Sequence, residues 1–223
     1  MLSYNLDETQ LQMIDLARKI GKEKIVPVRA ELDETGRFPW DILGILAEAG
    51  LFGVYIPEEY GGLGFGNFVT CLVVEELSKY CIGVSVSFAA SGLGAYPILL
   101  FGSHEQKLKY LPDIAAGKKI AAFGITESGA GSDAGAIRTT ATKKDDKYVL
   151  NGVKQWITNG GEAQPYSVIA KTDKTKGARG ASAFVLEKDI PGFTFGKKEN
   201  KLGIRASATR ELVFEDCEIP AEN

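Results

Sequence analysis

The sequence of 223 residues is poor in the side chains that usually bind transition metals. It has one histidine and three cysteines, and the cysteines are far apart and never form a Cys-x-x-Cys pair. An odd number of dispersed cysteines implies neither a disulfide framework nor a zinc site. The histidine, His104, falls in the capping-box pattern Ser-His-Glu-Gln, which predicts an exposed first-turn residue of a helix rather than an acid or base.

A strong excess of one charge is also missing. The 26 Lys and Arg residues stand against 29 Asp and Glu, a formal net charge of −3, which does not favour nucleic-acid binding. The amino terminus, MLSYNLDETQ, shows neither a basic region followed by an apolar run nor an arginine-rich transit pattern. We therefore expect a soluble protein of a reducing compartment, most simply the bacterial cytoplasm, without a nucleic-acid partner.

One stretch, between Lys79 and Glu105, lacks formal charge altogether. Small residues and a proline interrupt it, among them Gly94 and Pro97, so the stretch predicts a buried central helix and no membrane span. A helix this rich in small side chains suits close packing against neighbouring backbone. The alternative interpretation is that Ser91 and its neighbours line a ligand space.

Helical periodicity dominates the first half of the chain. Apolar side chains recur on one helical face over residues 13–20 and again over residues 69–80. Pro39 and Gly50 bracket a further short helix. We predict an all-α domain over residues 1–118.

Short runs of β-branched and aromatic residues, separated by turn signals, follow Gly117. Asn151-Gly152 lies between two strand-like segments and is the strongest hairpin signal, and Asp145-Asp146 marks the turn before it. Further strands are predicted at 166–171, 181–187 and 211–218, with a polar loop at 174–180. We predict an antiparallel, β-barrel-like domain over residues 119–223, and hence an α+β fold.

A glycine-rich run, GITESGAGSDAGA, occupies residues 124–136 and holds four glycines. It contains Gly-x-Gly-x-x-Ala, but strand-like residues follow where a dinucleotide-binding motif needs a helix, which argues against a Rossmann site. Glycines at this density are typical of backbone that turns sharply or approaches a ligand closely. The hydroxyls of Thr126, Ser128 and Ser132 suit a polar ring edge or a phosphate. Composition supports a ligand loop and a purely structural turn equally.

Trp156 and Thr158 stand two residues apart in a predicted strand. Alternation places both side chains on one face and Ile157 on the other. A broad aromatic surface beside a hydroxyl suits a planar ring with heteroatoms, such as a flavin. The alternative is a core tryptophan next to a surface threonine.

Five motifs together resemble the acyl-CoA dehydrogenase family, in particular its short- and medium-chain, butyryl-CoA dehydrogenase-like members. The third and fourth motifs are the most specific, and all five occur in the family's order. They are PEEYGG at 57–62, GSHEQK at 102–107 with YLP at 110–112, GITESGAGSD at 124–133, NGVKQWITNG at 151–160, and GIRAS through FEDCEIP at 203–220. The resemblance implies a helical domain followed by a small β domain, and the family's C-terminal four-helix domain is absent from this chain.

The resemblance also implies FAD as the cofactor. Trp156 would pack on the flavin ring, and Thr158 would hydrogen-bond near flavin N5. Ser132 and Ser91 would contact the substrate. The catalytic glutamate of most members lies in the C-terminal domain, so no catalytic residue is expected here and the chain alone is expected to be inactive. The cofactor-binding positions that the motifs imply are Phe123, Ile125, Thr126, Gly131, Ser132, Trp156, Ile157 and Thr158.

The activity that the resemblance implies is α,β-dehydrogenation of an acyl-CoA thioester to the trans-2-enoyl-CoA, a reaction of fatty-acid β-oxidation. Electrons would pass to an electron-transferring flavoprotein, and the full-length protein would be a homotetramer. Two alternatives stay open: an acyl-CoA oxidase or flavin monooxygenase of the same architecture, and a non-catalytic binding module. The sequence does not fix the length of the acyl chain.

Overall fold

The computed structural model describes residues 5–223. These residues divide into two compact units, and the division falls inside a helix. The first unit holds the chain through Ala89 with Ala115–Lys118 and Lys201–Ser207, and the second holds Ala90–Ile114, Lys119–Asn200 and Ala208–Asn223. The predicted domain division into 1–118 and 119–223 stays a prediction, because the compact units group the helical residues Ala90–Ile114 with the strands.

Helices form the first unit. They are α1 Glu8–Ile20, extended by a π-helical turn Gly21–Ile25, α2 Arg29–Thr35, α3 Trp40–Glu48, α4 Gly66–Ser78 and the start of α5, which spans Ile82–Phe101. Short 3-10 turns at Leu51–Gly53 and Glu58–Tyr60 connect α3 to α4. The predicted helical stripes are confirmed, because their apolar side chains are buried, including Met13, Ala17, Ile20, Val69, Val73 and Leu77.

Polar side chains fix where α1 begins and how it meets α4. The Asp7 carboxylate accepts from the Gln10 amide at 2.8 Å, and the Gln10 side chain accepts from the Asp7 amide at 3.1 Å, a reciprocal capping box. Across the α1–α4 contact, the buried Glu76 pairs with Arg18 at 3.1 Å, and at the end of α4 it also pairs with Lys79 at 2.6 Å. This carboxylate therefore does not leave an unpaired charge in the core.

The second unit combines the rest of α5, helix α6 (His104–Ala115) and a seven-stranded sheet. The strands are β1 Ala122–Gly124, β2 Thr140–Lys144, β3 Lys147–Thr158, β4 Tyr166–Lys171, β5 Ala181–Leu186, β6 Phe193–Phe195 and β7 Thr209–Pro220. Their order is β1-β4-β2-β3-β7-β6, with β5 on β4. The predicted fold, a helical part followed by a β part, is confirmed, and the three further strands lie within two residues of their predicted bounds.

The sheet is mixed, whereas the sequence predicted an antiparallel one. Strand β4 pairs in parallel with β1 and, at one residue, with β2. The other pairings are antiparallel. The cause is the long connection after β1, which passes through the β2–β3 hairpin and returns β4 to β1 in the same direction. The predicted polar loop at 174–180 also differs, because it forms a 3-10 turn, Lys174–Gly180.

The predicted hairpin turn at Asn151-Gly152 is wrong, because β3 runs through both residues. The hairpin turns instead at Asp145-Asp146, where Lys144 pairs with Lys147, and this turn was also predicted. Asp145 adopts φ +52, a conformation that Asp tolerates better than most residues. Both strand-like segments beside Asn151-Gly152 belong to the single strand β3, so this signal identified strand residues but not the two strands of a hairpin.

Asn151-Gly152 lies opposite a β-bulge in β7 instead of forming a turn, because one residue of β3 there faces two residues of β7. Gly152 has φ +143, and a Cβ there would lie 2.6 Å from Thr139 Oγ1, so the position requires glycine. The Asn151 amide group donates to the Asp216 carboxylate at 3.1 Å and accepts from the Asp216 backbone N–H at 2.9 Å. Asn151-Gly152, a sequence typical of a tight turn, here helps to fix the register between the long strands β3 and β7.

The predicted capping box opens α6. The Ser103 hydroxyl accepts from the Gln106 amide at 3.2 Å, and the Gln106 side chain accepts from the Ser103 amide at 2.9 Å. His104 is exposed in the first turn, as predicted.

The uncharged helix α5 packs by backbone proximity. Among the described residues it is long and apolar enough to cross a membrane by length and composition, and half of that apolar window is buried inside the protein. A Cβ at Gly94 would lie 2.5 Å from the Ala122 backbone nitrogen in β1. The Ser91 hydroxyl accepts from the Ala121 amide at 3.0 Å, and the Ser167 hydroxyl donates to the Gly94 carbonyl at 2.7 Å. The predicted close packing of this helix is confirmed.

Replacing Gly94 with alanine is expected to lower the free energy of unfolding by about 1–3 kcal/mol, because the added methyl overpacks the contact with β1. Denaturant titration measures the change. The control is Gly44→Ala on the exposed face of α3, where a Cβ meets nothing within 4 Å. That variant is expected to be neutral or about 0.5–1 kcal/mol more stable, and equal destabilisation of both variants would contradict the packing argument.

Candidate cofactor site

The predicted site is built where the segment after β1 runs beside β3. The Thr126 carbonyl accepts from the Gln155 amide at 2.8 Å. The Ile125 carbonyl accepts from the Lys154 ammonium at 3.1 Å. These two bonds bring Ile125 and Thr126 alongside the residues that precede Trp156, so three of the predicted positions lie on neighbouring backbone.

A second β-bulge, with its extra residue in β3, presents the indole of Trp156. Lys154 pairs with Leu212 and Ile157 with Arg210 on β7, which leaves an extra residue between them. Trp156 has φ +61, a rare conformation for a bulky side chain. The bulge turns Lys154 and Ile157 into the core and leaves Trp156 59% exposed.

The exposed indole argues against a core role for Trp156. A core tryptophan would be buried, and this side chain is not. Strained backbone conformations persist only where the surrounding structure imposes them, and they cluster at ligand sites. The half-buried Thr158 follows and pairs with Thr209. The arrangement therefore offers an aromatic face with a hydroxyl two residues away, as a planar heterocycle requires.

The glycine-rich loop projects from the same place. Backbone bonds of 3.1 and 3.0 Å between Glu127 and Ala130 close a tight turn, and Ala130 is buried. Gly131 and Ser132 beyond it are exposed. A Cβ at Gly129 or Gly131 would meet nothing within 4 Å, and neither glycine has positive φ. Because neither packing nor backbone conformation requires these two glycines, close approach of a ligand is the better explanation for them.

Three other predicted cofactor or substrate positions are less exposed than Trp156, Gly131 and Ser132. Phe123 is half-buried in β1 opposite Ser167. Ile157 is 3% exposed, so only its backbone is available to a cofactor. Ser91 is fully buried, and its hydroxyl bonds the Ala121 amide, which gives it a packing role. That Ser91 and Ser132 contact substrate stays a prediction.

A buried ion pair, which sequence reasoning missed, lies at the base of the loop. Lys154 is 0% exposed, and its ammonium donates to Glu127 Oε1 at 2.7 Å. Glu127 Oε1 also accepts from the Thr139 amide at 3.0 Å, and Oε2 accepts from the Arg138 amide at 2.6 Å. Glu127 thus bonds two backbone amides as well as the ammonium. Strand alternation did not predict the burial of Lys154, because it placed this residue on the same face as Trp156.

The ionisation of the pair follows from these contacts. Burial opposes ionisation of Glu127, but the hydrogen bonds from Lys154, Thr139 and Arg138 outweigh it and hold the pKa of the carboxyl below its usual range. Burial lowers the pKa of the Lys154 ammonium, and the Glu127 carboxylate opposes that shift. Glu127 is therefore an ionised carboxylate near neutral pH, and both of its oxygens accept hydrogen bonds.

Two stretches of the chain match family descriptions of known proteins. Residues 7–118 match the description "Acyl-CoA dehydrogenase, N-terminal domain", and residues 122–217 match "Acyl-CoA dehydrogenase, middle domain". The chain belongs to the acyl-CoA dehydrogenase family. The resemblance carried by the five motifs is thereby confirmed.

Acyl-CoA dehydrogenases align with the whole chain. A relative from Megasphaera elsdenii, "Acyl-CoA dehydrogenase, short-chain specific", is 46% identical over 227 residues, which cover 100% of this chain and 59% of the relative. The solved structure of butyryl-CoA dehydrogenase from M. elsdenii has a TM-score of 0.94 at 46% identity, with 100% and 59% covered. The chain thus spans about three fifths of the curated relatives it matches.

Two further solved structures are similar to this chain. A chain in "Electron transferring flavoprotein of Acidaminococcus fermentans: Towards a mechanism of flavin-based electron bifurcation" has a TM-score of 0.96 at 47% identity and covers 100% of this chain and 59% of its own length. An acyl-CoA dehydrogenase from Bacillus anthracis, complexed with FAD, has a TM-score of 0.90 at 38% identity, with 100% and 38% covered.

Glu127→Ala is expected to lower the free energy of unfolding by about 3–5 kcal/mol near neutral pH, because it leaves the Lys154 charge buried without a partner. Urea titration measures the loss. The difference in free energy of unfolding between parent and variant should become smaller below about pH 4, because a carboxyl with a depressed pKa stabilises the fold only while it is ionised.

The control for Glu127→Ala is Glu218→Ala, which breaks the exposed Lys147–Glu218 pair of β3 and β7. That pair is about half exposed on both sides, and its loss is expected to cost less than about 1 kcal/mol. If both variants lost a similar free energy of unfolding, burial would not make the Lys154–Glu127 pair more important for stability than an exposed pair.

Proposed function

We propose that this chain forms the FAD-binding and acyl-CoA-binding part of an acyl-CoA dehydrogenase, which converts an acyl-CoA thioester to the trans-2-enoyl-CoA. The observation that carries the proposal is the exposed indole of Trp156, held at φ +61 beside the glycine-rich loop in a member of this family. Oxidoreductase chemistry on the Cα–Cβ bond of fatty acyl groups follows from that assignment.

The residues present fit a flavin. An open aromatic face at Trp156, a nearby hydroxyl at Thr158 and two sterically free glycines form a surface for a flat ring with polar edges. The FAD complex of a relative supports the same cofactor. FAD, when bound, would supply the acceptor for the hydride from Cβ.

The chain's own residues bind and orient in this scheme. Trp156 packs against the ring, Thr158 offers it a hydrogen bond, and the loop from Gly129 to Ser132 approaches cofactor and thioester through its exposed backbone. Glu127 does not serve as the base, because its carboxylate already accepts bonds from Lys154 and two amides. The carboxylate that removes the α proton comes from outside the described residues.

A basic cavity next to the loop supports CoA as the carrier. The cavity has a volume of about 380 Å³, and its lining includes Gly135, Arg138, Lys171 and Lys174. Lys171 donates to the Gly177 carbonyl, which holds its ammonium in this cavity. Cations grouped beside a glycine-rich loop suit the phosphates of CoA.

The partners of the whole protein belong to the same proposal. The similarity to a chain in the Acidaminococcus structure supports an electron-transferring flavoprotein as acceptor. We further propose a homotetramer in the bacterial cytoplasm, as the family resemblance implies. The relatives described as short-chain specific favour a butyryl-sized acyl group.

The proposal predicts that the complete protein containing this chain, loaded with FAD, loses its visible flavin absorption when butyryl-CoA is added without oxygen. Admission of electron-transferring flavoprotein should restore the absorption rapidly, and air alone should restore it slowly. Stopped-flow spectroscopy measures both. Fast recovery in air would instead identify an oxidase, and no bleaching with acyl-CoA substrates of any length would overturn the proposed reaction.

The two tryptophans allow a test of where the flavin binds. With Trp40→Phe, the remaining Trp156 emission is expected to fall by more than half on addition of FAD, because the indole contacts the ring. Fluorescence titration measures the quenching. The matched control is Trp156→Phe, which leaves the 43% exposed Trp40 of α3 as reporter. Stronger quenching of Trp40 than of Trp156 would contradict the placement.

A further inference from the structure

The buried ion pair connects two segments that are far apart in sequence. Lys154 lies in β3 and Glu127 follows β1, and their side chains meet at 2.7 Å with 0% and 8% exposure. The Lys154 ammonium also donates to the Ile125 carbonyl. One side chain of β3 thus holds both the backbone and the side chain of the segment that leads into the glycine-rich loop.

The carboxylate of Glu127 closes the loop at its base. Residues 128–137 leave after Glu127 and return at Arg138 and Thr139. Both returning amides donate to the Glu127 carboxylate, at 2.6 and 3.0 Å. The loop therefore begins and ends on one side chain, and that side chain is held by Lys154.

Lys154 also sets the other wall of the site. It is the last residue in register before the bulge that turns Trp156 outward. If Lys154 moved so that its ammonium could bond to another acceptor, this bulge would move with it. The position of the loop and the position of the indole are thus coupled through a single ammonium group.

Stability alone is a weak reason for such a pair. Desolvation offsets much of the attraction between buried charges, and apolar side chains of similar volume often give equal or greater stability. Ionic pairs do, however, require one geometry, because each donor and acceptor has to be satisfied. The contacts here satisfy the carboxylate on both oxygens.

We propose that Lys154 and Glu127 are positioning residues, which fix the loop of residues 128–137 relative to Trp156 so that both walls of the flavin site are set before the cofactor binds. The inference rests on the proposed function, since it assigns the pair a purpose in binding FAD. Neither side chain needs to touch the ring.

The experiment compares stability with flavin binding in the complete protein. The variant Lys154→Met/Glu127→Leu replaces the pair by apolar groups of similar volume. We expect its midpoint of thermal unfolding to stay within a few degrees of the parent. We also expect its dissociation constant for FAD to rise at least tenfold, with a changed visible circular dichroism band of the bound flavin.

Single variants and a surface control complete the design. Glu127→Gln keeps an acceptor for the two amides but loses the charge, and it is expected to weaken FAD binding less than the double variant. Lys147→Met/Glu218→Leu removes the exposed pair between β3 and β7 and is expected to leave both FAD affinity and the dichroism band unchanged.

The outcomes separate the two proposals. A double variant that binds FAD with the affinity and spectrum of the parent overturns the positioning role, even if the single variants are unstable. A double variant that is much less stable than the parent also overturns it, because the pair is then a stabilising element of the fold. A parent that takes up no FAD overturns the proposed function itself.

Discussion

The alignment of the segment 125–127 with strand β3 is the constraint on which the candidate site depends. Two backbone carbonyls of this segment bond to residues 154 and 155, and one carboxylate bonds to the side chain of Lys154. Without this alignment, the glycine-rich loop would have no fixed relation to the tryptophan. The site is therefore a property of tertiary pairing, although its residues lie in two short motifs.

Backbone irregularities give the site its shape. Strand β3 pairs with β7 through two bulges, one with its extra residue in β7 opposite Asn151 and one with its extra residue in β3 near Trp156. At Gly152 the strand accommodates Thr139, and near Trp156 it reverses the expected burial of a lysine and an aromatic residue. Lys154 is buried because the Glu127 carboxylate pairs with it in the core. Trp156 is exposed, and a ligand is expected to cover its indole.

Sequence patterns predicted most of the fold and part of the site. Helical stripes, the capping box at Ser103 and the bounds of β4 depend on local periodicity and hydrogen bonding, which the sequence expresses directly. The predicted turn at Asn151-Gly152 does not form, because the Asn151 amide bonds to Asp216, a partner 65 residues away. Lys154 was missed for a similar reason, since only the folded chain brings Glu127 to it. The motif around Trp156 suggested a ligand-facing indole, whereas strand alternation alone does not predict its exposure, because the bulge breaks that alternation.

The grouping of Ala90–Ile114 with the strands bears on how such proteins diverge. The later turns of α5 meet the backbone of β1 so closely that a single extra carbon does not fit at Gly94. A substitution in this half of the helix therefore has to be compatible with the strands, whereas one in its first turns has to be compatible with the other helices. Recombination between homologous genes would preserve more native contacts with a crossover near codon 89 than at the apparent helix-to-strand junction.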